Sequence, residues 1–243
     1  MTTRDLEGRF IVITGSNTGI GRVTAERLAE RGARVVLANR SEDKTRPVLD
    51  AIRASGGAAD FVPLDLADLA SVRAASAQIL AMDRPLDVLV NNAGLAGLRG
   101  TTKDGFEIAF GTNHVGHFAL TLQLFPALRR AGHARIVNVA SKAHYRAKSI
   151  DWDAVRRPTA SVTGLPEYQV SKLANVLFTA ELARRSRGAG VHSRLWRPVH
   201  HAAVDSDGKE YGQDPGSGHD HGESPSGGTG WWWSSRHGAQ VTG

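Results

Sequence analysis

Short apolar, β-branched runs alternate with longer stretches of helical spacing, and this alternation limits the fold more than any other feature of the chain. The first run, FIVIT at 10–14, is followed by apolar residues spaced three and four apart over 20–31. The predicted strands are 10–14, 34–38, 60–64, 87–90 and 135–140, and the predicted helices are 20–31, 42–54, 68–82, 103–130 and 166–187. Buried strands that alternate with helices form a parallel sheet covered on both faces. The pattern therefore predicts an α/β fold, a doubly wound parallel sheet of the Rossmann type, with ligands beyond the carboxyl ends of the strands.

The turn after the first predicted strand is rich in glycine. Its TGxxxGxG spacing puts Gly15 and Gly19 where a tight turn and a close approach to a phosphate are needed, and Gly21 where the next helix packs on the sheet. The N-terminus of that helix adds free N–H groups and the positive end of the helix dipole. This context favours dinucleotide binding over an ordinary turn. The residues expected to contact the cofactor here are Gly15, Ser16, Asn17, Gly19 and Ile20.

The end of the second predicted strand indicates which dinucleotide binds. NAD sites carry an acidic residue at this point, which takes the ribose hydroxyls. Asn39 stands there instead, 20 residues after Gly19, and Arg40 follows it. A neutral side chain does not repel a 2′-phosphate, and arginine pairs with one through two hydrogen bonds. We therefore expect NADP(H) rather than NAD(H); the alternative is that Arg40 points into solvent or caps a helix.

Two further strand ends carry candidate cofactor contacts. Asp65 and Leu66 follow the third strand, where the Asp65 carboxylate would accept the adenine amino group or, alternatively, cap the next turn. The fourth strand ends in NNAG, from which Asn91, Ala93 and Gly94 are expected to contact the cofactor. The same residue types form ordinary turns, so NNAG by itself predicts only a turn. It indicates a cofactor contact because it ends a strand beside the glycine-rich turn.

Three polar residues indicate chemistry at the same edge of the sheet. Tyr168 and Lys172 stand four residues apart on one helix face, and both are also expected to contact the cofactor. Ser141 follows the fifth strand directly. A Tyr-x-x-x-Lys pair alone is more often a surface pair, but together with a serine at the mouth of a nucleotide crevice it indicates an active site.

Taken in order, these motifs resemble the short-chain dehydrogenase/reductase family. Within it, the sequence resembles the retinol dehydrogenase-like and WW-domain oxidoreductase-like branch, through NTGIG at 17–21, DGFE at 104–107, NHVGHF at 113–118 and SKLANVLF at 171–178. The 27 positions from Ser141 to Tyr168 suit a branch with an insertion there. The resemblance covers residues 7–192.

The resemblance implies hydride transfer between NADP(H) and a small carbonyl or alcohol substrate, which we expect to be apolar. Tyr168 would be the general acid of carbonyl reduction or the base of alcohol oxidation, and Lys172 would lower the tyrosine pKa and hold the nicotinamide ribose. Ser141 would hydrogen-bond the substrate oxygen. Asn113 would hold a water in a proton relay or, alternatively, be a buried asparagine that satisfies the backbone. Three histidines near this site are interpreted as structural: His114, His117 and His144.

The resemblance stops near residue 193. No Pro-Gly turn follows the sixth strand, which begins at Gly190, and the 40 residues from Val204 to Gly243 include ten Gly but no Leu, Ile, Phe or Met. Such a composition forms little core. We therefore predict a Rossmann-type nucleotide-binding and catalytic domain, 1–192, and an aberrant, disordered low-complexity tail, 193–243. The C-terminal strands and substrate helices of the fold would then be incomplete.

Three interpretations of this tail stay open. They are a frameshift or sequence error near residue 193, a natural flexible extension, and a metal-binding tail built from His219, Asp220, His221 and His237. The frameshift is favoured, because out-of-frame GC-rich codons give Gly, Arg, Trp, His and Pro. The histidine spacings are loose, so we assign no metal ligands. A frameshifted chain would be a catalytically impaired nucleotide-binding remnant rather than an active enzyme.

Composition narrows the remaining function classes. The 243 residues include no Cys, which excludes disulfides, thiolate metal sites and cysteine nucleophiles. The net charge of +6 comes from dispersed arginines without a stripe of stacking aromatics, so no nucleic-acid partner is expected. No apolar stretch approaches the ~18 residues of a membrane span, and we expect a cytoplasmic protein. A homodimer is left as an open alternative.

Overall fold

A computed structural model describes residues 3–196, 203–204 and 210–211. Six strands form one parallel sheet: β1 Phe10–Thr14, β2 Arg34–Asn39, β3 Ala58–Pro63, β4 Val88–Asn91, β5 Ala134–Val139 and β6 Val191–Trp196. The helices between them are α1 Gly19–Glu30, α2 Glu42–Ala54, α3 Leu69–Ala81, α4 Ile108–Phe110, α5 Gly116–Arg130 and α6 Leu165–Arg185. Two short strands, β7 Ala203–Val204 and β8 Glu210–Tyr211, pair antiparallel with each other.

The strand order is β3-β2-β1-β4-β5-β6, so the chain reverses direction across the sheet between β1 and β4. Crevices for ligands lie at such a reversal, beyond the carboxyl ends of the strands. The expected fold class, a doubly wound parallel sheet of Rossmann type, is confirmed.

Apolar side chains cover the sheet on both faces, as buried parallel strands require. On one face Leu89 and Ile136 pack in one cluster with Leu120, Leu124 and other residues of α3, α5 and α6. On the other face the strand residues Ile11, Ile13, Val35 and Leu37 pack against α1 and α2. The carboxyl ends of the strands are thereby held in a rigid frame.

The long helix predicted over 103–130 begins later than expected. Gly105, with a φ of 78°, takes part in a turn in which Thr102 N donates to Phe106 O at 2.8 Å. Glu107 then caps α4, because its carboxylate accepts from Phe110 N at 2.7 Å. A π-helical turn at Gly111–Val115 separates α4 from α5. The sequence pattern does not reveal that the helix begins later, because the residues of the turn continue the helical spacing.

The sixth strand runs four residues beyond the predicted domain boundary at 192. β6 pairs with β5 as far as Val139↔Trp196, and Ala140 N donates to Trp196 O at 2.9 Å. Most of the predicted tail, including the four residues of the metal-binding interpretation, lies outside the described residues, so its character stays a prediction. Within residues 3–196, every helix is too short or too polar to cross a lipid bilayer.

Candidate active site

The glycine-rich turn links β1 to α1 at the crevice. Gly15 and Gly19 have φ values of 65° and 53°, which favour glycine. A side chain on Gly21 would collide with the Gly15 carbonyl oxygen and with Asn92 Nδ2, so α1 can start this close to β1 only with glycine there. The side chain of Thr18, the residue before α1, makes no capping hydrogen bond. The first N–H groups of α1 therefore form the kind of cradle that binds phosphate.

Asn39 fixes this turn from the neighbouring strand. Its Oδ1 accepts from Ser16 N at 2.7 Å, and its Nδ2 donates to Thr45 Oγ1 at 3.1 Å. The side chain is only 4% exposed, so its amide holds protein atoms together and does not face a ligand. Arg40 is exposed, and within the described part of the chain its side chain makes no hydrogen bond or ion pair. The guanidinium at the end of β2 is thus available to an anion.

Asp65 and Leu66 follow β3 as predicted. Asp65 Oδ1 accepts from Ala67 N at 2.9 Å, so the carboxylate caps the turn before α3, which is the alternative considered from the sequence. Leu66 is buried, and its carbonyl lies so close to Gly116 that no side chain fits at the start of α5.

The turn after β4 is held above the sheet by two sets of contacts. Thr14 Oγ1 accepts from both Asn92 N and Ala93 N at 3.0 Å, and Asn92 Nδ2 donates to Thr14 O and Gly15 O, each at 2.9 Å. A Cβ on Gly94 would lie 3.4 Å from Lys172 Nζ, so this turn lies directly beside α6.

Asn91 points away from the crevice. Its Nδ2 donates to Thr121 Oγ1 at 3.0 Å and to Asn138 Oδ1 at 2.8 Å. The side chain is buried, and among the described residues its Oδ1 has no hydrogen-bond partner. Only the main chain of Asn91 is placed to touch a ligand at the strand end.

Ser141, Tyr168 and Lys172 come together at the carboxyl end of β5. The Ser141 and Tyr168 side chains are hydrogen-bonded. Lys172 Nζ donates to Val139 O at 3.1 Å and lies 5.6 Å from the centre of the Tyr168 ring. Helical spacing explains the Tyr–Lys pair, and the sheet places the serine opposite it.

Burial dominates the protonation of this group. It raises the pKa of Tyr168, against the smaller effect of the hydrogen bond from Ser141, and it lowers the pKa of Lys172 to about 8. In the protein by itself the pKa of Tyr168 is thus raised and not lowered, and the expected effect of the Lys172 charge on it stays a prediction. The pKa is raised because desolvation disfavours the phenolate more strongly than its neighbours favour it.

Asn113 lies on the π-helical turn and is fully buried. Its Oδ1 accepts from Leu95 N at 2.9 Å, and its Nδ2 donates to Leu95 O at 2.9 Å and to Ser171 Oγ at 3.0 Å. Both amide hydrogens thus have protein partners. These contacts are those expected of the alternative considered from the sequence, a buried asparagine that satisfies backbone groups. Here Asn113 joins the turn after β4 to α6.

His117 is expected from the sequence to be a structural histidine near the site, but sequence reasoning missed the contacts through which His117, Glu107 and Glu167 shape it. His117 connects Thr14 to Asn113, with Nε2 2.9 Å from Thr14 Oγ1 and Nδ1 3.0 Å from Asn113 O. Glu107 accepts from Thr159 Oγ1 and Glu167 accepts from Ser161 N, which ties the segment 142–164 to α4 and α6. The NHVGHF and DGFE motifs contain His117 and Glu107, but their partners lie in distant parts of the sequence.

The comparisons with known proteins agree with this geometry. Residues 9–152 match the family model of the short chain dehydrogenases. The chain is 45% identical over 193 residues to human retinol dehydrogenase 11 and 42% identical over 196 residues to human retinol dehydrogenase 13. These matches cover 78% and 79% of this chain, but 60% and 59% of the relatives, so the chain spans about three fifths of their length.

Solved structures show the same fold. A crystal structure of an uncharacterised protein from Mycobacterium paratuberculosis is 40% identical, with a TM-score of 0.69 over 81% of this chain and 71% of that protein. A metagenomic short-chain oxidoreductase in complex with NADP is 29% identical, with a TM-score of 0.66 over 80% and 84% of the two chains. Together with the motifs and their arrangement, these matches show that the chain belongs to the short-chain dehydrogenase/reductase family, in its retinol dehydrogenase-like branch.

Proposed function

We propose that the protein is an NADP(H)-dependent oxidoreductase that interconverts a carbonyl and an alcohol, with Tyr168 as general acid and base. The observation that carries the proposal is the group formed by Ser141, Tyr168 and the buried Lys172 beside Gly94, at the same edge of the sheet as the glycine-rich turn. The same crevice thus contains the glycine-rich turn that can bind a phosphate and the Tyr168 phenol that can act as an acid.

The residues present fit a dinucleotide. Gly19 has open space where a side chain would lie, so the backbone at the N-terminus of α1 is accessible to a pyrophosphate, whereas Gly15 and Gly21 let the turn pack closely against Ala93 and β1. Gly94 likewise brings its turn close to Lys172. Arg40 would pair with a 2′-phosphate, since no protein carboxylate competes for it within the described residues. Two structural relatives, the metagenomic oxidoreductase and a gluconate 5-dehydrogenase from Burkholderia cenocepacia that is 31% identical, were solved in complex with NADP. These points support NADP(H) over NAD(H).

The chemistry follows from the protonation of the site. A bound nicotinamide supplies the hydride for reduction or accepts it in oxidation. The Tyr168 phenol would give its proton to the carbonyl oxygen, while Ser141 Oγ holds the same oxygen by a hydrogen bond. The charge on Lys172 would stabilise the phenolate that remains. Burial raises the pKa of Tyr168 above its ordinary value, so the phenol is in the acid form that carbonyl reduction requires.

We propose an apolar substrate. The relatives named above are retinol dehydrogenases. Near the start of α6, Val162 and Leu165 are exposed, and Gly164 between them lies against the carbonyl of the exposed Leu98. An apolar rim of this kind suits a substrate with a hydrocarbon body. The cytoplasmic location and the homodimer expected from the sequence stay predictions.

A second candidate is a nucleotide-binding remnant without turnover. It is favoured by the composition of the chain after residue 193, since the 40 residues from Val204 to Gly243 include no Leu, Ile, Phe or Met. The two candidates share the cofactor site and differ only in catalysis.

One experiment separates them. NADPH is titrated into the purified protein by fluorescence, and NADPH oxidation is then followed with retinal and a series of aliphatic aldehydes. The enzyme proposal expects saturable binding and turnover, with Tyr168→Phe keeping the binding and losing turnover by about a hundredfold or more. Binding without turnover by the wild-type protein would support the remnant instead.

A further inference from the structure

His117 is a buried histidine that the proposed reaction does not use. It lies in the first turn of α5 and is 2% exposed. Its two ring nitrogens contact different parts of the site: Nε2 lies 2.9 Å from Thr14 Oγ1 and Nδ1 lies 3.0 Å from the main-chain oxygen of Asn113. The ring therefore bridges the end of β1 and the π-helical turn.

The partners of His117 determine its tautomer. A carbonyl oxygen only accepts, so Nδ1 must carry the hydrogen that it shares with Asn113. Burial lowers the pKa of His117 to about 4, which leaves the ring neutral near pH 7 and makes Nε2 an acceptor. The Thr14 hydroxyl then donates to Nε2, which lies closer to it, at 2.9 Å, than its other acceptor, the Val90 carbonyl oxygen, at 3.4 Å. The hydroxyl oxygen of Thr14 stays free to accept from Asn92 N and Ala93 N, each at 3.0 Å.

The two partners of His117 hold the same turn from opposite sides. Thr14 binds Asn92 and Ala93, which precede Gly94, and Asn113 binds the main chain of Leu95, which follows it. Gly94 in the middle lies beside Lys172 Nζ. The position of this turn therefore depends on the distance between Thr14 and Asn113.

We propose that His117 is a positioning residue for the nucleotide site, which sets the spacing between Thr14 and Asn113 and so fixes the turn 92–95 against Lys172. The proposal rests on the proposed function in one respect, that NADP(H) binds over this turn. The proposal also specifies the state of the His117 ring that the site requires, which is the neutral tautomer with its hydrogen on Nδ1.

His114 provides a matched control three residues earlier. Its Nδ1 also bonds a protein oxygen, Asn175 Oδ1 at 3.1 Å, and its ring packs against Phe110, Phe118 and Phe178. Among the described residues, the His114 ring makes no hydrogen bond to Thr14 or to the turn 92–95. A substitution there removes a part-buried histidine that also bonds a protein oxygen, without breaking the bridge.

A double-mutant cycle tests the bridge through the Kd for NADPH, which is measured without turnover. Thr14→Val removes the hydroxyl and His117→Phe removes both ring nitrogens. Residues that share a hydrogen bond are energetically coupled. If the two effects were independent, the Kd of the double variant would rise by the product of the two single increases. We expect its Kd to be lower than that product by about threefold or more. The cycle of Thr14→Val with His114→Phe should be additive. Additive losses in the His117 cycle as well would overturn the proposal.

A measurement on the unmutated protein covers the case in which a variant does not fold. Nitrogen-15 NMR of the histidine rings near pH 7 should show His117 neutral with its hydrogen on Nδ1, and a hydrogen on Nε2 would overturn the proposal. Failure of the two proposals is distinguishable. NADPH binding without turnover contradicts the proposed function alone, whereas absence of NADPH binding contradicts both.

Discussion

At the scale of single residues, buried neutral side chains hold the turns of this site, and Lys172 is its buried cation. Asn39, Asn113 and Thr14 are buried amides and hydroxyls whose partners are protein atoms. Lys172 is the only lysine or arginine that is buried among residues 3–196. Burial of a charge is costly, so such a lysine reflects function more than stability.

Lys172→Met should therefore stabilise the protein while it abolishes turnover. The depressed pKa of about 8, against an ordinary value of 10.5, means that the unfolded chain holds this proton more tightly than the folded chain does. Removing the buried charge should raise the free energy of unfolding at pH 7 by about 2 kcal/mol, after loss of the hydrogen bond to Val139 O. Urea unfolding of both proteins measures this difference.

The pH dependence has a definite sign. In the wild-type protein, the buried charge of Lys172 lowers the free energy of unfolding by its full amount below pH 8, and this loss disappears as the pH rises to 10.5. The difference in stability between Lys172→Met and wild type should therefore shrink over that pH range. Lys148→Met, at an exposed lysine, should change stability by less than about 0.5 kcal/mol. A Lys172→Met protein less stable than wild type at pH 7 would contradict the argument.

Arg40→Ala should separate the two dinucleotides. The exposed guanidinium would pair with the 2′-phosphate, which NADPH carries and NADH lacks, so the Kd for NADPH should rise by about tenfold or more while that for NADH changes less than about twofold. Arg46→Ala, on α2 and already paired with Glu42, should leave both values unchanged. Equal losses of NADPH and NADH binding would remove the argument for NADP(H).

Sequence reasoning located these residues but not their orientations. Tyr168 and Lys172 share a helix face by their spacing alone, and Ser141 follows from the end of a strand. That Asn91 faces the core, that Asn113 has both amide hydrogens engaged and that burial raises the pKa of Tyr168 depend on contacts between distant segments. Periodicity carries no information about such contacts.

At the scale of elements, two carboxylates hold the segment between β5 and α6. Glu107, at the start of α4, accepts from Thr159 Oγ1 at 2.5 Å, and Glu167, at the start of α6, accepts from Ser161 N at 2.8 Å. Glu167 directly precedes Tyr168, so this tie also anchors the helix that carries the acid. The 3₁₀ turns at Lys142–Arg146 and Ala154–Arg156 complete the segment.

Glu107→Ala should cost about 2–4 kcal/mol of unfolding free energy, because it removes the cap of α4 and leaves Thr159 without this acceptor. Glu107→Gln should cost less than about 1 kcal/mol, since an amide can still accept from Phe110 N and donate to Thr159. Hydrogen exchange of residues 154–161 should be faster in the alanine variant only. Equal effects of the two variants would show that the carboxylate does not tie this segment.

Gly21→Ala should destroy the phosphate cradle. The new methyl group meets the Gly15 carbonyl and Asn92 Nδ2, so α1 must shift and NADPH binding should weaken by about tenfold or more. Gly57→Ala is the control, because its methyl group would lie 2.8 Å from Ile52 Cγ2, away from the glycine-rich turn. Calorimetry should show both variants destabilised but only the first impaired in NADPH binding; unimpaired binding by Gly21→Ala would contradict the assigned cradle.

At the scale of the whole molecule, β6 extends the parallel sheet past residue 192. Its last four residues complete the ladder with β5 and end in the hydrogen bond from Ala140, the residue before Ser141. A chain cut after residue 192 would lose this support of the active site. A chain cut after residue 196 would keep it.

We therefore predict that the chain 1–196 keeps the Tm of the full chain within about 2 °C, whereas the chain 1–192 unfolds about 5 °C lower or more. The reason is that the residues from Val204 onward carry too few apolar side chains to add much core. Thermal unfolding followed by circular dichroism measures both. If the chain 1–196 loses as much stability as the chain 1–192, residues beyond 196 belong to the folded unit.

The sequence by itself determined the family, the parallel α/β architecture and which residues meet at the carboxyl ends of the strands, because these follow from periodicity and from motifs that are local in the chain. Only the tertiary structure decided the direction of the tyrosine pKa, the inward orientation of Asn91 and the bridge from Thr14 through His117 to Asn113. Desolvation and hydrogen bonding depend on which atoms surround a group in space. Those atoms come from β1, β4, α5 and α6, which are brought together only when the sheet is assembled.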